Sequence, residues 1–177
     1  MPPDTGGPSW RIEALGPHHD RADFSCGIDS LDRYLREQAG QDARRMTAAP
    51  FVLVSASEPE TVAGYYTLSS HSIDLRDVPD DVARRLPRYP HVPAALLGRL
   101  AVNRRYKGQR LGELLLMDAL SRALRQSSQI AAAAVVVDAI DDQAARFYRR
   151  FGFMPFPDRS DRLFLPMKTV AVLFRAR

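Results

Sequence analysis

A chain of 177 residues, 45% apolar and 26% charged, can bury a sizeable core and is expected to form one soluble domain spanning 1–177. Its single cysteine, Cys26, excludes an intrachain disulfide and gives no sign of an oxidising compartment. The opening "MPPDTGGPSW" has neither the basic start nor the apolar stretch of a secretory signal, and the longest apolar run, Ile130 to Val137, is too short to span a bilayer, so a cytoplasmic protein without membrane association is expected.

The net charge is +4, carried almost entirely by arginine, since the only lysines are Lys107 and Lys168. Arginine forks suit phosphate, although a modest positive excess also serves solubility. No internal repeat, low-complexity block or long linker interrupts the chain. Trp10 to Leu15 form a candidate first strand. "CGIDSLDRYLREQAG" predicts a helix with Asp29 or Ser30 as N-cap and Leu31, Tyr34 and Leu35 on one face. "PFVLVSAS" and "TVAGYYTLSS" are β-rich runs joined across "EPE" as a hairpin, with His71 at the strand end. A proline- and arginine-containing stretch, Asp77 to Pro93, predicts a short helix within a loop. "AALLGRLAV" is a buried strand, "LGELLLMDALSRALRQ" a long helix apolar around most of its circumference, and "AAAAVVVDAI" another buried strand. "DDQAARFYRRFG" predicts a helix closed by Gly152, and "FMPF" and "RLFLPMKTV" complete the strands. The order β-α-ββ-(α)-β-α-β-α-β gives a mixed α/β class with a largely antiparallel first half.

The turn inside "LAVNRRYKGQRLGELLL" is the most telling segment. It is not a P-loop, because no Gly-Lys-Ser/Thr follows the second glycine, and G-x-G-x-x-G is absent. What remains is a strand, a short basic turn and a helix. The amides of Gly108, Gln109, Arg110, Leu111 and Gly112 fall at the helix start, where unpaired N–H groups and the helix dipole favour an anion. An ordinary basic βα turn fits the same letters.

Lys107–Gly112 resemble motif A of the GNAT N-acetyltransferases, Gln/Arg-x-x-Gly-x-Gly/Ala, with Lys107 in the first position and Arg110 in place of the middle glycine. "DDQAARFYRRFGF" resembles the family's motif B helix through Asp141, Ala144, Phe147, Tyr148, Gly152 and Phe153, with Asp141 where Asn is usual. "FSCGIDSLDRYL", "VAGYYTLSS", "LLGRLAVNRRYKGQRLGELLL" and "AARFYRRFGFMPF" together are similar to the toxin branch of that family, the TacT and AtaT type of bacterial toxin–antitoxin pairs.

The resemblance implies a GNAT fold, a mixed central sheet flanked by helices, and acetyl-CoA as co-substrate. It implies a reaction on the α-amine of aminoacyl-tRNA that blocks translation, a ribbon-helix-helix antitoxin as partner, and a homodimer. It places Lys107 to Gly112, Asp141 and Phe147 at the coenzyme, with the main chain of Leu100, Ala101 and Val102 at the thioester oxygen. Tyr148 becomes the acid that protonates the departing thiolate; read from residues alone, it is a core aromatic whose hydroxyl finds one partner. Phe24 and Leu31 are expected to pack, and Cys26 to be a small buried residue.

"AALLGRLAV" carries no carboxylate to serve as base. An α-amine titrating near ~8 is partly neutral without one, whereas a lysine near ~10.4 is not. Arg44, Arg45, Arg84, Arg85, Arg88, Arg146, Arg149 and Arg150 are the candidate RNA contacts, although such clusters also form plain solvated faces. Arg146 or Arg149 could instead touch the coenzyme's 3′-phosphate. His71 is open to two readings, a base near the acceptor amine or a hydrogen-bonded strand residue. His18 and His19 carry no assignment, and no metal is expected. The alternatives are a GNAT enzyme for a small-molecule amine or a protein N-terminus, and a non-catalytic module that keeps the fold.

Overall fold

The computed structural model describes residues 9–175; the opening stretch read for a secretory signal lies outside the described residues up to position 8. No helix among the described residues is long and apolar enough to cross a membrane. The elements are β1 (Trp10–Ala14), α1 (Asp29–Arg33), α2 (Ala39–Arg45), β2 (Ala49–Ser55), β3 (Gly64–Asp74), α3 (Asp80–Ala83), β4 (His91–Val102), α4 (Leu111–Gln126), β5 (Ala134–Asp138), α5 (Asp142–Arg150), β6 (Met154–Phe156), β7 (Arg159–Pro166) and α6 (Met167–Arg175). A π-helical turn, Tyr34–Gln38, joins α1 to α2, and short 3-10 turns occupy Leu75–Asp77 and Arg104–Tyr106. The seven strands form one mixed sheet in the order β1-β2-β3-β4-β5-β7-β6, with β4 parallel to β5 and β7 antiparallel to both β5 and β6.

Among the described residues the chain divides into two compact units, the first up to Thr67 and again from Leu100 to Leu116, the second from Leu68 to Arg99 and from Met117 onward. The first unit is built around a cluster that includes Phe24, Cys26, Leu31, Tyr34, Leu35, Val52, Val54, Tyr65 and Ala101. Phe24 meets Tyr65 edge-on at 5.5 Å, and Tyr65 keeps its buried hydroxyl satisfied by donating to the Leu31 carbonyl at 2.7 Å. Cys26 is buried as expected, and burial, helped by Asp32, pushes its thiol up to about 11, which makes it inert. The second unit packs Ile73, Val78, Val82, Ala94, Val136, Phe156 and Phe164 together.

Several elements differ from the sequence expectation. The first helix is capped by neither Asp29 nor Ser30: Ile28 is the N-cap, and its carbonyl receives the amides of Leu31 and Asp32. The carboxylate that matters there is Asp32, which accepts from the buried Cys26 amide at 2.8 Å. The second run of the expected hairpin begins only at Gly64 and continues to Asp74, so His71 lies within β3 and not at its end. A Cβ on Gly64 would lie 3.0 Å from the Ala101 carbonyl oxygen and 2.8 Å from Leu115 Cδ1, which is why that strand starts on a glycine.

β4 starts at His91, ahead of the predicted apolar run, and β5 is confined to Ala134–Asp138. "RLFLPMKTV" is not one strand. It stops at Pro166, and Met167 opens α6 with Met167 and Val170, a helical step of three apart, buried.

Candidate active site

β4 delivers Leu100, Ala101 and Val102 to the start of the basic turn, Ala101 buried and the other two half-buried. The register of β4 against β5 runs from Ala95–Val135 to Leu97–Val137, while β4 itself continues to Val102. Asn103 ends the strand by accepting the Arg105 amide at 3.1 Å on its side-chain oxygen. The chain then passes through an exposed loop, Lys107 to Arg110, before α4 starts at Leu111.

Two residues of this loop take a left-handed backbone, Gly108 at φ +86° and Arg110 at φ +58°. Nothing lies within 4 Å of the position a Cβ would take on Gly108, so that face of the loop is open. None of the amides of Gly108, Gln109, Arg110, Leu111 and Gly112 has a hydrogen-bond acceptor among the described residues; the first amide of the helix to find one is Leu114, on the Arg110 carbonyl at 3.3 Å. Five unpaired donors, two on left-handed hinges, are what an anion-binding nest requires. The Arg110 guanidinium forms a fork with Glu113, 2.8 and 3.0 Å, and is 81% exposed.

In the second unit, Asp141 accepts the Ala144 amide at 2.8 Å and is the N-cap of α5, and Gly152 at φ +93° closes that helix through its amide on the Arg149 carbonyl. Ala144, Phe147, Tyr148 and Phe151 share one face, with Tyr148 meeting Phe147 at 5.2 Å and Phe153 at 5.5 Å. The Tyr148 ring is 5% exposed, yet its hydroxyl has no hydrogen-bond partner among the described residues. No fully buried side-chain oxygen is left unpartnered there either, so this hydroxyl opens to solvent through its oxygen. A core aromatic would have found its partner inside; this one keeps a free O–H on a rigid ring. Burial, with the nearby Asp138 charge, raises its pKa well above 10, so it stays protonated.

Asp138 closes β5 and holds Arg162 in a two-bond fork, 2.7 and 2.9 Å. The same guanidinium lies 3.4 Å from His71 Nε2. A guanidinium only donates, so Nε2 accepts and the ring proton sits on Nδ1. Burial and the Arg162 charge lower the His71 pKa below 6.5. His71 is therefore a neutral, hydrogen-bonded residue whose basic nitrogen is already engaged, which favours the second of its two readings.

All eight arginines nominated for RNA, Arg44, Arg45, Arg84, Arg85, Arg88, Arg146, Arg149 and Arg150, are exposed and lack an ion pair among the described residues. Eight others, Arg11, Arg33, Arg76, Arg105, Arg110, Arg122, Arg159 and Arg162, are each paired with a carboxylate. Arg150 also lies over the rings of Phe147 and Phe151, at 5.6 and 6.0 Å.

Sequence reasoning missed one cluster. Glu13, His18 and His19 gather their ligand atoms within 4.8 Å of one another. His19 is buried and accepts the Gly16 amide on Nδ1 at 2.9 Å, so its proton is on Nε2, directed at Glu13 at 2.8 Å. That tautomer offers a metal no lone pair at Nε2, and the group is a satisfied polar cluster. The adjacent "HH" gave no clue that Glu13 faces both rings.

The sequence pattern of the acetyltransferase (GNAT) family matches residues 18–153, a span that includes both the nest and α5. The chain belongs to the GNAT acetyltransferase family. It is 33% identical to a probable toxin TacT of Sinorhizobium fredii over 96% of this chain and 98% of that one. It is 37% identical to a tRNA-acetylating toxin of Mycobacterium tuberculosis over 87% of this chain and 90% of that one. Among solved structures, AtaT complexed with acetyl-methionyl-tRNAfMet superposes with a TM-score of 0.86 at 27% identity, covering 94% of this chain and 99% of that one. A mutant AtaT bound to the C-terminus of the antitoxin AtaR gives 0.80 at 26% identity, covering 94% and 98%.

Proposed function

We infer that this chain is the toxin of a toxin–antitoxin pair and transfers the acetyl group of acetyl-CoA to the α-amine of aminoacyl-tRNA, so that the charged tRNA no longer supports translation. The observation that carries the chemistry is the Tyr148 hydroxyl, free on a buried ring. The substrate reading is supported by the tRNA-acetylating relative and by the unpaired arginines. The antitoxin is of the ribbon-helix-helix class, the enzyme is a homodimer, and 1–177 work as a single catalytic domain. A gene next to this one that encodes a short ribbon-helix-helix protein is the expected genomic setting.

The unpaired amides of Gly108 to Gly112 hold the pyrophosphate of the coenzyme, with Lys107 and Phe147 also at the coenzyme. The neutral amine attacks the thioester carbonyl carbon, and the amides at Leu100, Ala101 and Val102 stabilise the oxyanion that develops. As the C–S bond breaks, the sulfur takes the Tyr148 proton; the nitrogen loses its own proton to solvent, and Tyr148 is reprotonated from water. β4 carries no carboxylate, which suits an amine that is already partly neutral near pH 8. Asp141 and Arg110 take revised parts. Asp141 acts through the start of α5, and the Arg110 side chain, engaged by Glu113, leaves phosphate binding to the main chain.

The test is incubation of the full chain with acetyl-CoA and a set of charged tRNAs, followed by release and mass analysis of the amino acid. Nα-acetylated amino acid is the expected product. Turnover on free amines or peptide N-termini, with charged tRNA untouched, would favour the small-amine enzyme instead.

A further inference from the structure

The segment between β3 and β4 forms an open cleft of about 610 Å³, walled among others by Arg76, Asp80, Arg84, Arg88 and Tyr89. That volume is in the range of small-ligand sites, roughly 300–1,000 Å³. Arg76 is engaged with Asp74, its Nη2 2.6 Å from a carboxylate oxygen. Arg84 and Arg88 have no ion pair or side-chain hydrogen bond among the described residues, and both line the cleft. Tyr89 is 66% exposed and touches no other ring there. It lies in the sequence Pro87-Arg88-Tyr89-Pro90, where fixed proline φ angles leave little backbone freedom to lose on binding. An exposed ring and two guanidiniums without ion pairs, lining one cleft, are the groups that stack a base and grip its phosphates.

We propose that this cleft is a stacking subsite for an unpaired nucleotide of the RNA substrate, its base on the Tyr89 ring and the flanking phosphates on Arg84 and Arg88. The proposal rests on the tRNA reading above and adds to it a residue that is not a cation. A base in a duplex has no free face to offer a single ring, so the subsite selects unpaired nucleotides. An acidic peptide, the other polyanion that arginines hold, makes no use of an exposed ring. Adenine, guanine and cytosine, by contrast, carry an exocyclic amino group from which a carboxylate such as Asp80 can accept.

The measurement is anisotropy of a labelled, unstructured single-stranded RNA of about ten nucleotides, titrated with the full chain, beside the same sequence as a duplex. Tyr89→Ala is expected to weaken single-strand binding about tenfold, with Tyr89→Trp restoring it, and to leave duplex binding and the salt slope unchanged. Replacing both arginines, Arg84→Gln with Arg88→Gln, is expected to flatten the salt slope by about 1.4, since each phosphate neutralised on a single strand contributes about 0.7. These side chains are exposed and unbonded, so all the variants are expected to melt like the wild type.

The proposal is overturned if Tyr89→Ala binds single strands like the wild type, or weakens duplex binding equally. Displacement of the oligonucleotide by coenzyme A would assign the nucleotide subsite to the coenzyme, and displacement by polyglutamate would assign it to an acidic partner; either overturns the RNA proposal. Should the wild type acetylate no charged tRNA while Tyr89 still governs oligonucleotide binding, the functional reading fails and the subsite stands. Should charged tRNA be acetylated with Tyr89→Ala indistinguishable, the subsite alone fails.

Discussion

The loop at Lys107 to Gly112 and the helix α5 each depart from the GNAT pattern at one position, and the departures differ in kind. In α5 the unusual residue, Asp141 in place of Asn, does what either side chain can do: its oxygen accepts the Ala144 amide at 2.8 Å and caps the helix. In the loop the unusual residue, Arg110 in place of Gly, is held at φ +58°, a backbone that disfavours any side chain. The first change is absorbed by shared chemistry. The second retains the loop geometry at a conformational cost, with the guanidinium turned aside to Glu113. A family pattern therefore specifies two kinds of thing, a donor or acceptor at a point in space and a backbone angle, and substitutions test them separately.

The largest effect that separates the two cases is at the cap. Asp141→Ala is expected to lower stability by about 1 kcal/mol, read as a fall in melting temperature, whereas Asp141→Asn leaves it unchanged. A drop with Asn as large as with Ala would show that charge and not capping matters there. In the loop, Arg110→Gly relieves roughly 1–2 kcal/mol of left-handed strain and gives part of that back to the freer unfolded chain, for a net gain of about 0.5 kcal/mol. Acetyl-CoA affinity by calorimetry is expected to hold or improve in that variant. A clear fall in affinity would mean that the guanidinium leaves Glu113 and binds phosphate itself.

The smallest effect lies away from both motifs. Hydrogen bonds from His19 and His18 hold the Glu13 carboxyl below its ordinary 4.5. Its contribution is therefore present above pH 4.5 and is lost as pH falls through the lower folded value. Glu13→Gln is expected to cost at most about half a kcal/mol at neutral pH, because the carboxylate is partly exposed to screening solvent. The gap between the two melting curves closes as the pH is lowered below 4.5; a gap that widens there would reverse the sign.

How far the letters carry depends on what each feature needs. α4 appears over the same residues as its apolar period, Leu111–Gln126, and α5 is closed by Gly152 at φ +93°, because local patterns decide both. The "MKTV" end of "RLFLPMKTV" reads as strand because Thr169 and Val170 are β-branched, while burial of Met167 and Val170 settles the helix. The Ile28 cap is hidden because Asp29 and Ser30 are the residue types that favour capping, whereas Ile28 serves through its main-chain carbonyl alone. Tyr148 can be named from its motif, but the freedom of its hydroxyl depends on packing that no spacing encodes. The nominated arginines are legible as clusters; that they lack carboxylate partners, and that Tyr89 stands exposed beside Arg84 and Arg88, emerges only in three dimensions.

The most direct test of the catalytic claim is single-turnover acetyl transfer to charged tRNA by Tyr148→Phe, with coenzyme affinity measured on the same preparation. A rate lower by about 10²–10⁴-fold, the range for removal of a general acid, with acetyl-CoA bound as tightly as before, is the predicted result. Transfer at the wild-type rate would contradict it and return Tyr148 to the core.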